Sequence, residues 1–313
     1  MSADSRVIET APRAARGRIL TLALIVTTFL WSTNYLLALG LQDVLSPAHL
    51  TFLRWGIAAP FLLVAAWRVE RPVLRVVGRD LPRHLLMAAT GIVGYNLLNY
   101  AALHLTGPAD AAVVNSANPL LIALLAWVVL RQPLGRRTLI GLGLSTLGIL
   151  IVLSRGSLET FLTFQFGAGE LLVLIAGACW AVYSVTARLL RSGPITAVAV
   201  QAVIAALALL PFYAAEPPPT ALAPEQLLQL ALIVVFPTTI AFVLWNVCVA
   251  RVGPARAGIA INLMPVFTTV MAVLVGVQVV SGSLLVGGAC VLGGVVVATF
   301  VPRSRGITAT VSG

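Results

Sequence analysis

The residues with chemical capability in this sequence are amides and aromatic rings set inside apolar runs. Trp31 and Asn34 lie three apart in W-S-T-N-Y, Tyr95 and Asn99 four apart in Y-N-L-L-N-Y, and Asn115 and Asn118 three apart in N-S-A-N-P. Spacings of three and four put each pair on one face of a helix. Trp180 and Tyr183 repeat the first pattern, Trp245 and Asn246 stand together, and Asn262 precedes Met264-Pro265 as Asn115 precedes Pro119. Rings stack, and an amide donates and accepts hydrogen bonds at once. In hydrocarbon an amide needs a partner: a neighbouring helix, water or a ligand. The chemistry indicated is non-covalent recognition of a small, partly polar solute. Its candidate binding residues are Trp31, Asn34, Tyr95, Asn99, Asn115, Asn118, Trp180, Tyr183, Trp245, Asn246 and Asn262.

Catalytic and metal chemistry find no support. His49, His84 and His104 fall at the ends of apolar runs or between them, and there is neither H-E-x-x-H nor G-x-S-x-G. Cys179, Cys248 and Cys290 lie inside apolar runs without a C-x-x-C pair, as small apolar residues do. The expectation is a protein that is not an enzyme, with no metal and no cofactor.

The elements that must position the amides are membrane helices. Of 313 residues, 59% are hydrophobic and 10% charged, where a soluble domain carries roughly 25% charged residues. Apolar runs fall near 19–39, 48–67, 84–103, 109–130, 138–154, 169–187, 194–213, 226–250, 257–276 and 284–301. Most approach the roughly 20 residues that cross a bilayer as helix. The first run is too long for a signal peptide and lacks a small-x-small cleavage site, so it stays as a span. All 20 cationic residues are arginines, and 18 of them cluster in the two tails and alternate connections, leaving Arg155 opposite and Arg54 within a run. The positive-inside rule then makes both termini cytoplasmic. The net charge of +10 is accounted for by topology, and no nucleic acid is expected as partner. Arg54, about two turns into the second run, is expected to snorkel to the outer interface as an anchor. Pro119 is expected to break a helix and free the Asn115 carbonyl. Glu170 reads as a helix cap, with proton binding as the alternative.

A repeat organises the chain. Gly107-Pro108-Ala109, Pro119 and Gln132 recur as Gly253-Pro254-Ala255, Pro265 and Gln278, all displaced by 146 positions, and Gly141 and Gly148 recur as Gly287 and Gly294. The predicted fold is an all-α integral membrane protein with ten transmembrane helices as two inverted five-helix repeats. The predicted units are a tail at 1–17, repeats at 18–154 and 169–302, a linker at 155–168 and a tail at 303–313. An odd number of spans per unit inverts the second, the ground plan of secondary transporters with a mid-membrane site. Runs 1, 3, 4, 6, 8 and 9 carry the amides and rings and should line the cavity. Runs 5 and 10, rich in glycine, should pack the units together or form a dimer-like seam.

With W-S-T-N-Y at 31–35, the Pro47-to-Arg54 entry to the second run and the paired G-P-A…P stretches at 107–119 and 253–265, the chain resembles the EamA-type members of the drug/metabolite transporter superfamily. The resemblance covers residues 19–301 and implies a ten-helix carrier of the bacterial inner membrane, commonly an exporter of amino acids or related small metabolites by alternating access. Relatives often have glutamate at the ends of runs 4 and 9, where this chain has Gln132 and Gln278, so that acid's role does not carry over. The alternatives are a carrier of another solute class, such as a drug or nucleotide-related metabolite, and a lipid-moving protein. The partners expected are a small-molecule substrate and the lipid bilayer, with the chain a monomer or homodimer.

Overall fold

The computed structural model describes residues 13–299 apart from 42, 104, 107–110, 112, 113, 155, 156, 158, 163–165, 218–220 and 275–280. The Gly107-Pro108 turn, Asp110, His104, Arg155 and Gln278 therefore lie outside the described residues. Among the described residues there is helix and no strand. The first stretch comprises α1 (Arg13–Leu39), α2 (Pro47–Val69), α3 (Leu74–Met87) running through a π-helical segment π1 (Ala88–Gly94) into α4 (Tyr95–Leu103), α5 (Asn118–Leu130) and α6 (Arg136–Leu153). After the short α7 (Glu159–Leu162) come α8 (Ala168–Ala187), α9 (Pro194–Ala215), α10 (Pro224–Ile233) running through π2 (Val234–Ile240) into α11 (Ala241–Val252), then α12 (Pro254–Gly258), a 3-10 turn (Ile259–Asn262), α13 (Leu263–Leu274) and α14 (Gly282–Thr299).

Among the described residues, six helical stretches are long and apolar enough to cross a membrane: α2, α6, α8, α9, the rod from α10 to α11, and α14. Their outward faces are hydrocarbon, with Phe61, Trp67, Leu207 and Leu285 each more than 60% exposed. Water would penalise such a surface at about 25 cal/mol per Å²; a bilayer removes that penalty. The protein is thus a multi-pass membrane protein.

Proline opens these helices. Pro47, Pro194, Pro224 and Pro254 occupy first turns, where the missing N–H is an orphan in any case. Pro119 does the same, at the helix break expected of it, since Val114 and Asn115 are helical just ahead of it. Ser116 and Ala117 form a turn and α5 starts at Asn118. The two π-helical segments are offset by 146 positions, and each widens one turn at mid-rod. In π2 the cause is local, since Pro237 lacks an N–H and the Thr239 hydroxyl donates to the Val234 carbonyl at 2.7 Å.

Two helix pairs tie the two stretches together. Glu70 ends α2 and accepts from the N–H groups of Ile195 and Thr196 at 2.9 and 2.8 Å and from the Thr196 hydroxyl at 2.7 Å. It thereby caps α9, whose own cap position is Gly193. Glu216, 146 positions on, ends α9 and turns to the start of α2, where the Ser46 hydroxyl donates to it and His49 Nδ1 lies 3.2 Å away. The two helices therefore run antiparallel, each carboxylate closing the other helix. The second pair is α6 and α14. A Cβ at Gly141 would lie 2.5 Å from the Gly294 carbonyl oxygen, and one at Gly148 would lie 2.6 Å from that of Gly287. The order reverses between the helices, so they too are antiparallel, with backbones in contact. The glycine-rich runs pack against each other as expected.

At the arginine-rich end Asp80 is fully buried. It accepts from the N–H groups of Arg191 and Ser192 at 2.7 and 2.9 Å and pairs with Arg83 at 2.7 Å. Burial pushes its carboxyl pKa up, but the Ser192 and Arg191 N–H groups and Arg83 outweigh it and hold the carboxyl below its ordinary 3.8.

Three outcomes follow. Gly148→Leu lowers stability by about 1–3 kcal/mol through overpacking, read as a fall in melting temperature in detergent. Gly143→Leu, where an added Cβ meets nothing within 4 Å, stays within about 0.5 kcal/mol of wild type. Asp80→Asn costs about 1–3 kcal/mol at neutral pH. Because the folded pKa is depressed, that contribution is fully present above the unfolded value near 3.8 and disappears as pH falls through the folded value. Melting curves of the two proteins across pH should therefore converge in acid.

Candidate functional site

Trp31 of α1 sits at the centre of an aromatic cluster drawn from both stretches. Its ring centroid is 5.2 Å from Trp180, 5.3 Å from Trp245 and 5.6 Å from Phe242. Trp180 stacks on Tyr183 at 4.9 Å and meets Tyr95 at 5.2 Å, and Trp55 closes edge-on against Phe242 at 4.8 Å. Most of these pairs are edge-to-face or tilted, the geometry that the ring quadrupole favours. Trp31 is held by its indole N–H, which donates to the Pro237 carbonyl at 3.1 Å. The π2 segment carrying that carbonyl thus shapes the site. π1 does the same from the other side, because Gly91 lies directly beneath the Tyr183 ring and any side chain there would overlap it.

Hydrogen bonds fix the second wall. Asn246 donates to the Tyr183 hydroxyl at 2.7 Å and to the Phe242 carbonyl at 2.8 Å. Among the described residues, several buried polar atoms around the cluster have no partner: Asn246 Oδ1, the Trp55 and Trp245 indole N–H groups and the Ser184 hydroxyl. Asn34 Oδ1 and Asn118 Oδ1 are likewise buried without a partner among the described residues. Buried polar groups are nearly always bonded, and these are open to hydrogen bonds with another molecule or with water.

The structure brings Trp31, Tyr95, Trp180, Tyr183, Trp245 and Asn246 into one contiguous group. Asn118, 1% exposed, stands against α8 near Gly177, with a long 3.5 Å contact to Asn115 Oδ1. Asn99 donates back to the Tyr95 carbonyl at 2.8 Å. Asn262 is not brought to this group. It is buried and donates to Ser145 of α6 at 3.1 Å, joining the 3-10 turn to that helix. Glu170 caps α8, accepting from the Gly167 N–H at 2.8 Å and from the Thr106 hydroxyl.

Arg54 overturns a sequence expectation. It is 4% exposed and its Nε donates to Thr238 of π2 at 3.1 Å, so it faces the protein interior and does not snorkel to an interface. Among the described residues it is the one buried arginine. Trp55 and Phe242 complete the cluster but were not candidates. Phe242 could have been found, three positions before Trp245 on the same face. Trp55 carries no such signal, because its role is set by contact between helices.

The helices, their lipid-facing surfaces and a shared internal cluster define a membrane transport protein. The EamA-like transporter family model matches residues 18–154 and again 167–300, and the chain belongs to that family; it is a transporter and not an enzyme. It is 26% identical over 261 residues to the uncharacterized transporter YyaM of Bacillus subtilis, covering 80% of this chain and 86% of that one. It is 28% identical over 260 residues to the aromatic amino acid exporter YddG of Ancylobacter novellus, covering 79% and 90%. It is 29% identical over 292 residues to a probable terminal-alkyne amino-acid exporter of Streptantibioticus cattleyicolor, covering 87% and 91%. A solved crystal structure superposes with a TM-score of 0.75 at 25% identity, covering 90% of this chain and 96% of that one.

Removing the Asn246 amide tests the cluster's internal wiring. Asn246→Leu leaves the buried Tyr183 hydroxyl unpaired and costs about 1–3 kcal/mol, and adding Tyr183→Phe recovers most of it. Melting temperatures of the single and double variants in detergent check this.

Proposed function

We propose that the chain is a secondary transporter of the bacterial inner membrane that exports amino acids or related small metabolites by alternating access. On this reading it has ten spans in two inverted five-helix repeats, with both termini cytoplasmic. The duplicated family match, the antiparallel pairing of α2 with α9 and α6 with α14 and the 146-residue offset of π1 and π2 support the repeat. The arginines clustered at one end support the orientation.

The observation that carries the function is the aromatic cluster around Trp31, built from both stretches and ringed by amide and indole groups that have no partner among the described residues. Relative rocking of the stretches would open and close such a cluster. Flat rings provide stacking surface for an apolar side chain. Amides hydrogen-bond the ammonium and carboxylate of a zwitterion without a fixed countercharge, and Arg54 beside π2 adds a cation suited to a carboxylate. Two relatives named as amino-acid exporters agree with this class. The substrate is a small molecule in the bilayer-embedded site, and the chain works as a monomer or homodimer.

The test compares extracellular metabolites of cells overproducing wild type with cells making Asn118→Leu at matched membrane abundance. Wild type is expected to accumulate one amino-acid class outside the cell. The variant, close in volume but without the amide, should lose export at least about tenfold, the loss of one buried polar contact or more. Equal accumulation by the variant would remove Asn118 from the site, and no amino-acid accumulation by wild type would remove amino-acid export from the reading.

A further inference from the structure

At the arginine-rich end, the chain leaving α5 and entering α6 faces the bend between α11 and α12 across a cavity of about 310 Å³. Its lining includes Gln132, Gly135, Thr138, Gly253 and Arg256. Three features make this cavity unlike its surroundings. α6 is 18 residues long, yet its cap position is Gly135, no side chain caps it, and its first turn carries Arg136 and Arg137 in place of acids. Cations at the positive end of a helix oppose the macrodipole and are tolerated where an anion sits between them. Thr138 in the same turn is only 3% exposed, lines the cavity and makes no hydrogen bond to a described residue. Finally, neither 126–138 nor 251–258 contains a carboxylate, and Arg136 and Arg256 form no salt bridge among the described residues.

The start of α14, 146 positions on, is built differently. Ser281 stands where α6 has Gly135 and accepts from the Leu284 N–H at 3.2 Å. Gly282 and Ser283 stand where α6 has its two arginines, and Leu284 where it has Thr138. One copy closes its own helix and the other leaves its N–H groups to something else. Topology accounts for arginines at this end but not for a missing cap or a buried hydroxyl.

A second cavity, of about 430 Å³, lies between α5 and α6; its lining begins at Leu139, next in sequence to Thr138, and comprises Leu120, Leu139, Leu142, Gly143, Leu147 and Leu150 with Thr146. It opens on the lipid-facing side, where Leu120, Leu139 and Leu147 are about half exposed. A polar, cationic pocket and an apolar groove that meet successive residues of one helix match one molecule with an anionic head and a hydrocarbon tail. We propose that this is a binding site for an anionic phospholipid. Its phosphate is held by Arg256, the Thr138 hydroxyl and the first turn of α6, and one acyl chain lies in the groove between α5 and α6.

Native mass spectrometry of the full chain in detergent tests this with phosphatidylglycerol, phosphatidylcholine of the same chains, and inorganic phosphate as competitor. Phosphatidylglycerol should be retained selectively. Arg136→Gln with Arg256→Gln should weaken it by about tenfold or more, at about 1 kcal/mol per arginine. Gly143→Trp, placed in the groove where an added Cβ meets nothing, should weaken phosphatidylglycerol binding too. Arg75→Gln, exposed at the same end, should leave it unchanged and so excludes diffuse surface charge. Equal retention of the two lipids, or an Arg75→Gln loss as large as that of the double variant, overturns the site. Full displacement by phosphate with no effect of Gly143→Trp overturns the lipid and leaves a site for free anions.

Discussion

The close approach of α6 and α14 constrains the rest of the molecule. Lipid chains are as apolar as leucine, so no hydrophobic force drives helices together within a bilayer. Association there depends on packing distance and on polar groups that find partners. Gly141, Gly148, Gly287 and Gly294 let two backbones meet without intervening side chains, and this fixes the relative height and direction of the two stretches. The reciprocal Glu70 and Glu216 caps fix the α2 and α9 pair in the same way. Between these two clamps the remaining helices have little freedom in register. Trp31 can then meet Trp180 and Trp245 across the join.

Within that frame, polar groups divide into those that finish the structure and those left for function. Glu70 and Glu170 satisfy backbone donors at helix starts, and Asp80 those of Arg191 and Ser192 in the turn between α8 and α9. Asn262 and Asn99 are likewise spent on Ser145 and the Tyr95 carbonyl. Among the described residues, several of the unpaired atoms lie at the aromatic cluster and at the Asn34 and Asn118 amides, while His49, His84, Thr146, Gln201 and Gln229 each keep one elsewhere. In hydrocarbon such groups are costly, and the aromatic cluster holds four of them: Asn246 Oδ1, the Trp55 and Trp245 indole N–H groups and the Ser184 hydroxyl.

Particular residues mark how far the chain could be read in advance. The spacing of Gly141 and Gly148 and its echo at Gly287 and Gly294 pointed to a helix seam, because small residues at helical spacing have few other uses in lipid. Trp31, Trp180 and Trp245 were legible because bulky rings beside amides are uncommon in a lipid-facing run. Pro119 was legible as a helix break, because proline leaves the carbonyl one turn back without its donor. Arg54 was misread. A long cationic side chain two turns from a helix end can point either way, and only the position of Thr238 on a distant helix directs it inward.

Sequence alone determined that this chain lives in a membrane, that its arginines gather in alternate connections and that its pattern repeats every 146 residues, because composition, charge placement and periodicity are properties of the chain itself. The tertiary structure alone decided which amides join the aromatic cluster and which bond elsewhere between helices. A helical face names a residue's direction but not what another helix, scores of residues away, places opposite it. Asn246 and Asn262 carry the same side chain in the same stretch. One joins the aromatic cluster through Tyr183 and the other binds Ser145, and packing geometry makes the difference.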